Sequence, residues 1–268
     1  MLQYIGGRIE ARMRHVQPPP PVLRGLVPRA ARPQRLRELY RRLWRRWGAQ
    51  GWWPAESAFE MVVGAILTQQ VAWRNVEQAL RNLKRRGLLT PQRLRHVPRR
   101  RLERYLRPVG FFRVKATRLR AFLTWLHQEW GDELGQLFRR PTLKARQALL
   151  QVSGIGPETA DSMLLYAGHH PIFVVDAYTR RILERHGLIH RQASYDTMQQ
   201  QFHTALPTTE RLFSEYHALL VRLGKTYCRT VPQCEPCPLW RIPRVRGVWP
   251  TTHQHQLQHP RTPRHHPA

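Results

Sequence analysis

Residues 149–185 read LLQVSGIGPETADSMLLYAGHHPIFVVDAYTRRILER, and the fold turns on how this stretch is parsed. It reads as the end of one helix, a tight hairpin, a second helix, a short apolar connector and a third helix headed by an acid. Gly154 and Gly156, flanking Ile155, let the backbone turn sharply and come close to another molecule. Pro157 suits the first helical position, where a missing N–H costs little. The N–H groups left free at that helix start suit an anion, and in so basic a chain the anion expected is a phosphate.

The apolar run Ile172–Val175 ends at Asp176, which would stand at the N-terminus of the helix AYTRRILER. An Asp there is an ordinary N-cap when the helix stands alone. A glycine hairpin one helix upstream changes the reading, because one connected unit would then hold a phosphate and set a carboxylate beside it.

The order VSGIGPETA then VVDAYTRR, preceded by FEMVVGAILTQQ at 59–70 and VGFFRVKATRL at 109–119, resembles the endonuclease III superfamily of DNA glycosylases over about residues 35–240. The resemblance implies an all-α, two-lobed helix-hairpin-helix fold with its hairpin at 143–168. It implies that Gly154, Ile155 and Gly156 contact DNA, and that Asp176 is the catalytic carboxylate. It also implies that Gln70 fills the gap left when a base is extruded. The amide of Gln70 has both donor and acceptor for the orphaned partner base, although a polar loop-capping role is an equal reading from the residue alone.

Lys+Arg of 45 against Asp+Glu of 17 gives a formal charge of +28. That excess argues against a neutral small-molecule enzyme and for a polyanionic partner, here double-stranded DNA. Only four of the basic residues are lysines, Lys84, Lys115, Lys144 and Lys225. Phosphate geometry and compositional bias explain the arginine preference equally well. Residues 1–33 read as a basic, Pro/Arg-rich disordered leader, 34–240 as the folded domain, and 241–268 as a His/Pro/Arg-rich tail. The tail histidines His253, His255, His259, His265 and His266 could bind metal weakly or simply be disordered. No apolar run reaches the roughly 20 residues that span a membrane. The N-terminus lacks a secretory h-region. The chain is expected to be a cytoplasmic monomer, nucleoid-associated if bacterial.

Leu36, Leu39, Tyr40, Leu43, Trp44 and Trp47 recur at helical spacing, so an amphipathic helix opens the domain. A strongly apolar helix follows from about Ser57 to Leu67, and a long one from about Phe112 to Gln128. No alternating strand is evident, and the IFVV run reads as a buried connector.

A base inside a duplex must be flipped out before an active site reaches it. Breaking its glycosylic bond develops positive charge on the sugar, which a carboxylate at Asp176 would stabilise. Bifunctional members of the family place a lysine in the second hairpin helix to form a Schiff base. Glu158 occupies that position here and cannot form an imine, so hydrolysis without strand cleavage is expected. For Glu158 itself, a first-turn acid favoured by the helix dipole is preferred to a catalytic role. Trp52, Trp53 and Trp73 read as core packing or, by resemblance to 3-methyladenine glycosylases, as an aromatic base pocket. Indoles there would attract an alkylated, cationic purine. Cys228, Cys234 and Cys237 resemble the ligands of the family's [4Fe–4S] cluster but lack the fourth cysteine. A cluster completed by a histidine or an external ligand, a zinc site and a decayed site all remain open. Two rival functions stand beside the hydrolytic glycosylase: a bifunctional glycosylase/AP lyase, and a non-catalytic DNA-binding protein that keeps the hairpin.

Overall fold

A computed structural model of the chain describes residues 22–23 and 25–245. Twelve α-helices dominate the described residues, in agreement with the all-α expectation. The exception is a pair of two-residue strands, Val22–Leu23 (β1) and Arg244–Val245 (β2), joined in parallel.

The helices form two groups. The first helix, Arg32–Trp47 (α1), packs with Ala177–Arg185 (α10), Tyr195–Ala205 (α11) and Glu210–Thr226 (α12) in one lobe. Its predicted stripe is realised: Leu36, Leu39 and Leu43 are fully buried, while Tyr40, Trp44 and Trp47 lie along the edge of the core. The other lobe holds the intervening helices: Ala58–Thr68 (α2), Trp73–Lys84 (α3), Pro91–Arg95 (α4), Arg99–Leu106 (α5), Phe112–Trp130 (α6), Leu134–Phe138 (α7), Thr142–Leu150 (α8) and Pro157–Tyr166 (α9). The lobes meet where α9 packs on α12 and where the connector 172–175 crosses between them. Ile172, Phe173, Val174 and Val175 are all buried there without regular structure, as read from the sequence.

Helix α2 is the spine of its lobe, with every residue from Phe59 to Leu67 buried. Ser57 caps it through its hydroxyl, which accepts from the Glu60 N–H at 3.1 Å. At its other end the buried Lys115 of α6 donates to the carbonyls of Leu67 at 2.6 Å and Val109 at 3.2 Å. Burial and the neighbouring Arg118 push that lysine down to about 8. It therefore ties α2 to α6 through the carbonyls that a helix end leaves unsatisfied.

The hairpin is anchored from behind. Asp161 of α9 is fully buried and accepts from Arg146 of α8 at 2.7 Å, from Tyr195 at 2.8 Å and from Gln199 at 2.7 Å. This fixes α8 and α9 to each other and to α11, where a buried carboxylate is stable only because its acceptors are filled.

The folded part extends past the expected limits of 34 and 240. Val27 is buried and its N–H donates to the Gly187 carbonyl at 2.8 Å, and the β1–β2 pair holds 22–23 against 244–245. Short hydrophobic anchors among prolines and arginines carry no periodicity, so the pattern hid them. The rest of the expected leader and tail, with the five tail histidines, lies outside the described residues.

Candidate active site

The hairpin turn uses its two glycines differently. Gly154 has φ +86°, a left-handed conformation in which a side chain is strained, and an added Cβ would lie 2.4 Å from Arg118 Cγ. Gly156 is extended at φ −96° and its Cβ direction is open, so it is the place where another molecule can approach. No side chain caps α9, and Pro157 stands in its first turn as expected. Ile155 is buried, so it braces the turn from inside.

Asp176 caps α10: its Oδ1 accepts from the Thr179 N–H at 2.7 Å. Its Oδ2 lies 3.8 Å from His217 Nε2. Tyr166 and His217 Nδ1 are 2.5 Å apart, against 3.4 Å from the Tyr166 hydroxyl to the Ser214 carbonyl. Burial pushes His217 below its ordinary value, so the ring is neutral at pH 7. A hydroxyl proton given to Nδ1 leaves the ring proton on Nε2, facing the carboxylate. The cap fixes the orientation of Asp176, and His217 Nε2 stands close to its second oxygen without a hydrogen bond.

One cavity of about 830 Å³ collects most of the residues singled out in the sequence: Trp52, Trp53, Trp73, Gln70, Glu158 and Asp176. The tryptophans are half-buried, packed edge to face, with Trp53 and Trp73 rings 5.0 Å apart at 90° and Trp52 and Trp53 5.5 Å apart. All three wall the cavity, and Trp53 and Trp73 also pack against the core. Gln70 is exposed at φ +57° on the corner after α2.

Glu158 opens onto this cavity and stays in contact with solvent at its rim. Desolvation by the surrounding walls, then the charge of Asp176, push its carboxyl up to about 7. Glu158 therefore keeps a proton part of the time at neutral pH.

Four further residues of the cavity escaped sequence reasoning. Gln69 donates to the Gly154 carbonyl at 3.1 Å and to Thr159 Oγ1 at 3.0 Å, and accepts from Arg118. Their signal was only their place in the motifs at 59–70 and 109–119. His217 and Lys225 come from α12, where they interrupt an otherwise apolar face. The Lys225 ammonium lies 5.3 Å from the Trp52 ring centroid, and burial lowers its basicity while Asp176 and Glu77 support it. The indole face expected to attract a cationic base therefore already has a cation of the protein's own. Lys144 does not line the cavity.

Cys228, Cys234 and Cys237 gather around a separate small pocket with Arg185, His186 and Arg244. Burial pushes Cys237 up to about 12 and raises Cys234. Arg185 donates to Cys228 Sγ at 3.3 Å, and the Leu239 N–H to Cys237 Sγ at 3.4 Å. Among the described residues, no three His, Cys, Asp or Glu side chains are grouped so as to hold a metal ion. A [4Fe–4S] cluster is therefore unconfirmed for these residues, and no chemical step is assigned to one. No helix among the described residues is long and apolar enough to cross a membrane.

One cavity thus carries aromatic walls, the glycine turn and the Asp176 carboxylate on a single surface. A nucleotide swung out of a duplex suits that surface, which puts the chain in the class of helix-hairpin-helix DNA glycosylases. Residues 63–208 match the family described as HhH-GPD superfamily base excision DNA repair protein. MJ1434 of Methanocaldococcus jannaschii, a candidate DNA repair glycosylase, is 42% identical over 204 residues, covering 75% of this chain and 92% of that protein. The chain belongs to the HhH-GPD superfamily of base excision DNA repair proteins. Endonuclease III of Bacillus subtilis is 24% identical over 187 residues, covering 69% of this chain and 80% of that one. A non-covalent endonuclease III–DNA complex shares the fold with a TM-score of 0.68 at 23% identity, over 78% of this chain and 94% of that chain. H. pylori 3-methyladenine DNA glycosylase bound to 1,N6-ethenoadenine gives a TM-score of 0.60 at 25% identity, over 72% and 95%.

Proposed function

We propose that this protein hydrolyses the glycosylic bond of a flipped, alkylated purine in double-stranded DNA and leaves an intact abasic strand. The observation that carries the reading is the cavity where three tryptophans, Asp176 and Glu158 meet beside the hairpin turn. Gly154, Ile155 and Gly156 take the DNA backbone, and Gln70, exposed on its corner, takes the gap in the duplex. Asp176 stabilises the positive charge that grows on the sugar. The aromatic walls suit a planar purine, and the likeness to a 3-methyladenine glycosylase bound to 1,N6-ethenoadenine supports an alkylated one. Glu158 stands where an imine-forming lysine is expected in bifunctional relatives, which supports water as the nucleophile.

The test is base release from duplexes carrying 3-methyladenine, 7-methylguanine, 1,N6-ethenoadenine or uracil, with strand breaks scored before and after hot alkali. Breaks only after alkali are expected on an alkylated purine. Asp176→Asn should reduce release by about a hundredfold or more while the fold survives, since an Asn still caps α10. Unchanged turnover in that variant would favour a protein that only binds DNA.

A second reading, a bifunctional glycosylase/lyase, is favoured by one observation: the Lys225 amine lies in the same cavity, with its basicity lowered. Borohydride reduction on lesion-bearing DNA decides it. No covalent adduct is expected, and an adduct lost in Lys225→Gln would establish the lyase.

A further inference from the structure

Base excision by water needs two services, and the geometry above accounts for one. Asp176 answers the charge on the sugar. The departing base takes the electron pair of the C1′–N bond and, if it starts neutral, leaves as a poor anion unless it receives a proton. We propose that Glu158 is the acid that protonates the departing base, acting in the same cavity as Asp176.

Position and surroundings support this. Glu158 lies in the first turn of α9, lines the cavity together with the three tryptophans, and forms no salt bridge among the described residues. Asp176, His217, Lys225 and Arg118 line the same cavity, and Arg146 lies behind the hairpin. Asp176 at the head of α10 is the anion that opposes its ionisation. Burial, with Lys225 adding to it, lowers the basicity of His217 of α12, although Asp176 opposes the shift. Lys225 of α12 lies over Trp52, Arg118 of α6 is engaged by Gln69, and Arg146 of α8 is bound to Asp161. Burial, then the charge of Asp176, push the Glu158 carboxyl up to about 7, so a fraction of it carries a proton at neutrality. Glu158 as acid and Asp176 as charge stabiliser divide two roles between two carboxyls of one cavity. The step balances as follows: the C1′–N bond breaks towards the base, the Glu158 proton goes to a base ring nitrogen, a water oxygen bonds to C1′, and the water proton passes to Asp176. Asp176 then releases its proton to solvent and Glu158 takes one up, which its open side allows. This inference rests on the hydrolytic reading above and names the second residue of that reaction.

The experiment compares leaving groups. 1,N6-Ethenoadenine is neutral and needs a proton to depart, whereas 7-methylguanine carries a fixed positive charge and departs neutral without one. Glu158→Gln, with its fold checked by melting, should slow ethenoadenine release by about 10- to 100-fold. Its loss on 7-methylguanine should be at least about tenfold smaller by the same argument. Wild-type release of ethenoadenine should fall as pH rises through about 7. The variant should lose that limb. Equal losses on both bases, or no loss on either, overturn the role of Glu158 while leaving the glycosylase intact. Wild-type protein that releases neither base, nor any other alkylated purine, overturns the function and this inference with it.

Discussion

Gln69 and Gly154 are joined by a hydrogen bond, 3.1 Å from the Gln69 side-chain nitrogen to the Gly154 carbonyl, which makes the corner after α2 and the turn of the hairpin one body. The same amide reaches Thr159 at 3.0 Å and accepts from Arg118, so α2, α6 and α9 converge on it. The residue beside it, Gln70, is thereby held at a fixed offset from Asp176. Gln69→Leu should cost about 1–3 kcal/mol, because it strands partners at a half-buried contact. Base release should fall about tenfold, since positioning is lost, while binding to undamaged duplex stays within about twofold. Melting curves and single-turnover release check this. A full loss of stability with normal turnover would show that the junction is only structural.

Gly154 carries a separate prediction. Its φ of +86° and the 2.4 Å approach of Arg118 Cγ to the place of a Cβ both oppose any side chain. Gly154→Ala should destabilise by more than about 1 kcal/mol and weaken DNA binding. Pairing it with Arg118→Ala removes the steric part and leaves the backbone strain. The double-mutant cycle should therefore show partial recovery, with a coupling of about 0.5 kcal/mol or more.

How much of this was legible follows from which signals are local. The hairpin, the α10 cap and the α1 stripe are written in spacing and in single-residue preferences, and they stand where the sequence placed them. Gln70, Trp52, Trp53 and Trp73 were legible as candidates because the motif order fixed their neighbours. His217 and Lys225 were not, since 41 and 49 residues of chain separate them from Asp176 and only the packing of α10 on α12 brings them back. Glu158 was visible as a first-turn acid, but its altered ionisation comes from cavity walls that no local pattern encodes. The ends were misjudged because Val27 and the two-residue β1–β2 pair are anchors too short to show periodicity.

The chain of contacts from Tyr166 through His217 to Asp176 gives a prediction about orientation. Tyr166→Phe keeps the ring packing against Trp53 at 5.5 Å but removes the hydroxyl that fixes the His217 tautomer. Base release should fall several-fold without a matching change in DNA affinity. Nitrogen chemical shifts of His217 should move from one tautomer to a mixture. An unaltered tautomer with an unaltered rate would remove His217 from the positioning of Asp176.

Acid should weaken the fold in a window set by buried histidines. Burial pushes His186 down to about 4, and it lowers His170, His203 and His217 as well. His186 Nδ1 pairs with the Pro243 carbonyl at 3.2 Å, next to β2 and the cysteine pocket. Below an unfolded value near 6.5 the unfolded chain binds a proton at this ring and the folded one does not, so stability falls as pH falls. The loss from His186 grows until pH reaches about 4, where the folded state also takes the proton. Above about 6.5 the contribution is fully present. The window is worth up to about 3 kcal/mol for this one ring. Denaturant unfolding of the wild type at pH 7.5, 6 and 5 should show a progressive loss. His186→Gln should start less stable at pH 7.5, because the packing around the Pro243 carbonyl is disturbed. It should then lose about 2 kcal/mol less than the wild type between pH 6.5 and 5. Parallel losses in the two proteins would mean that His186 is not the group that couples this fold to pH.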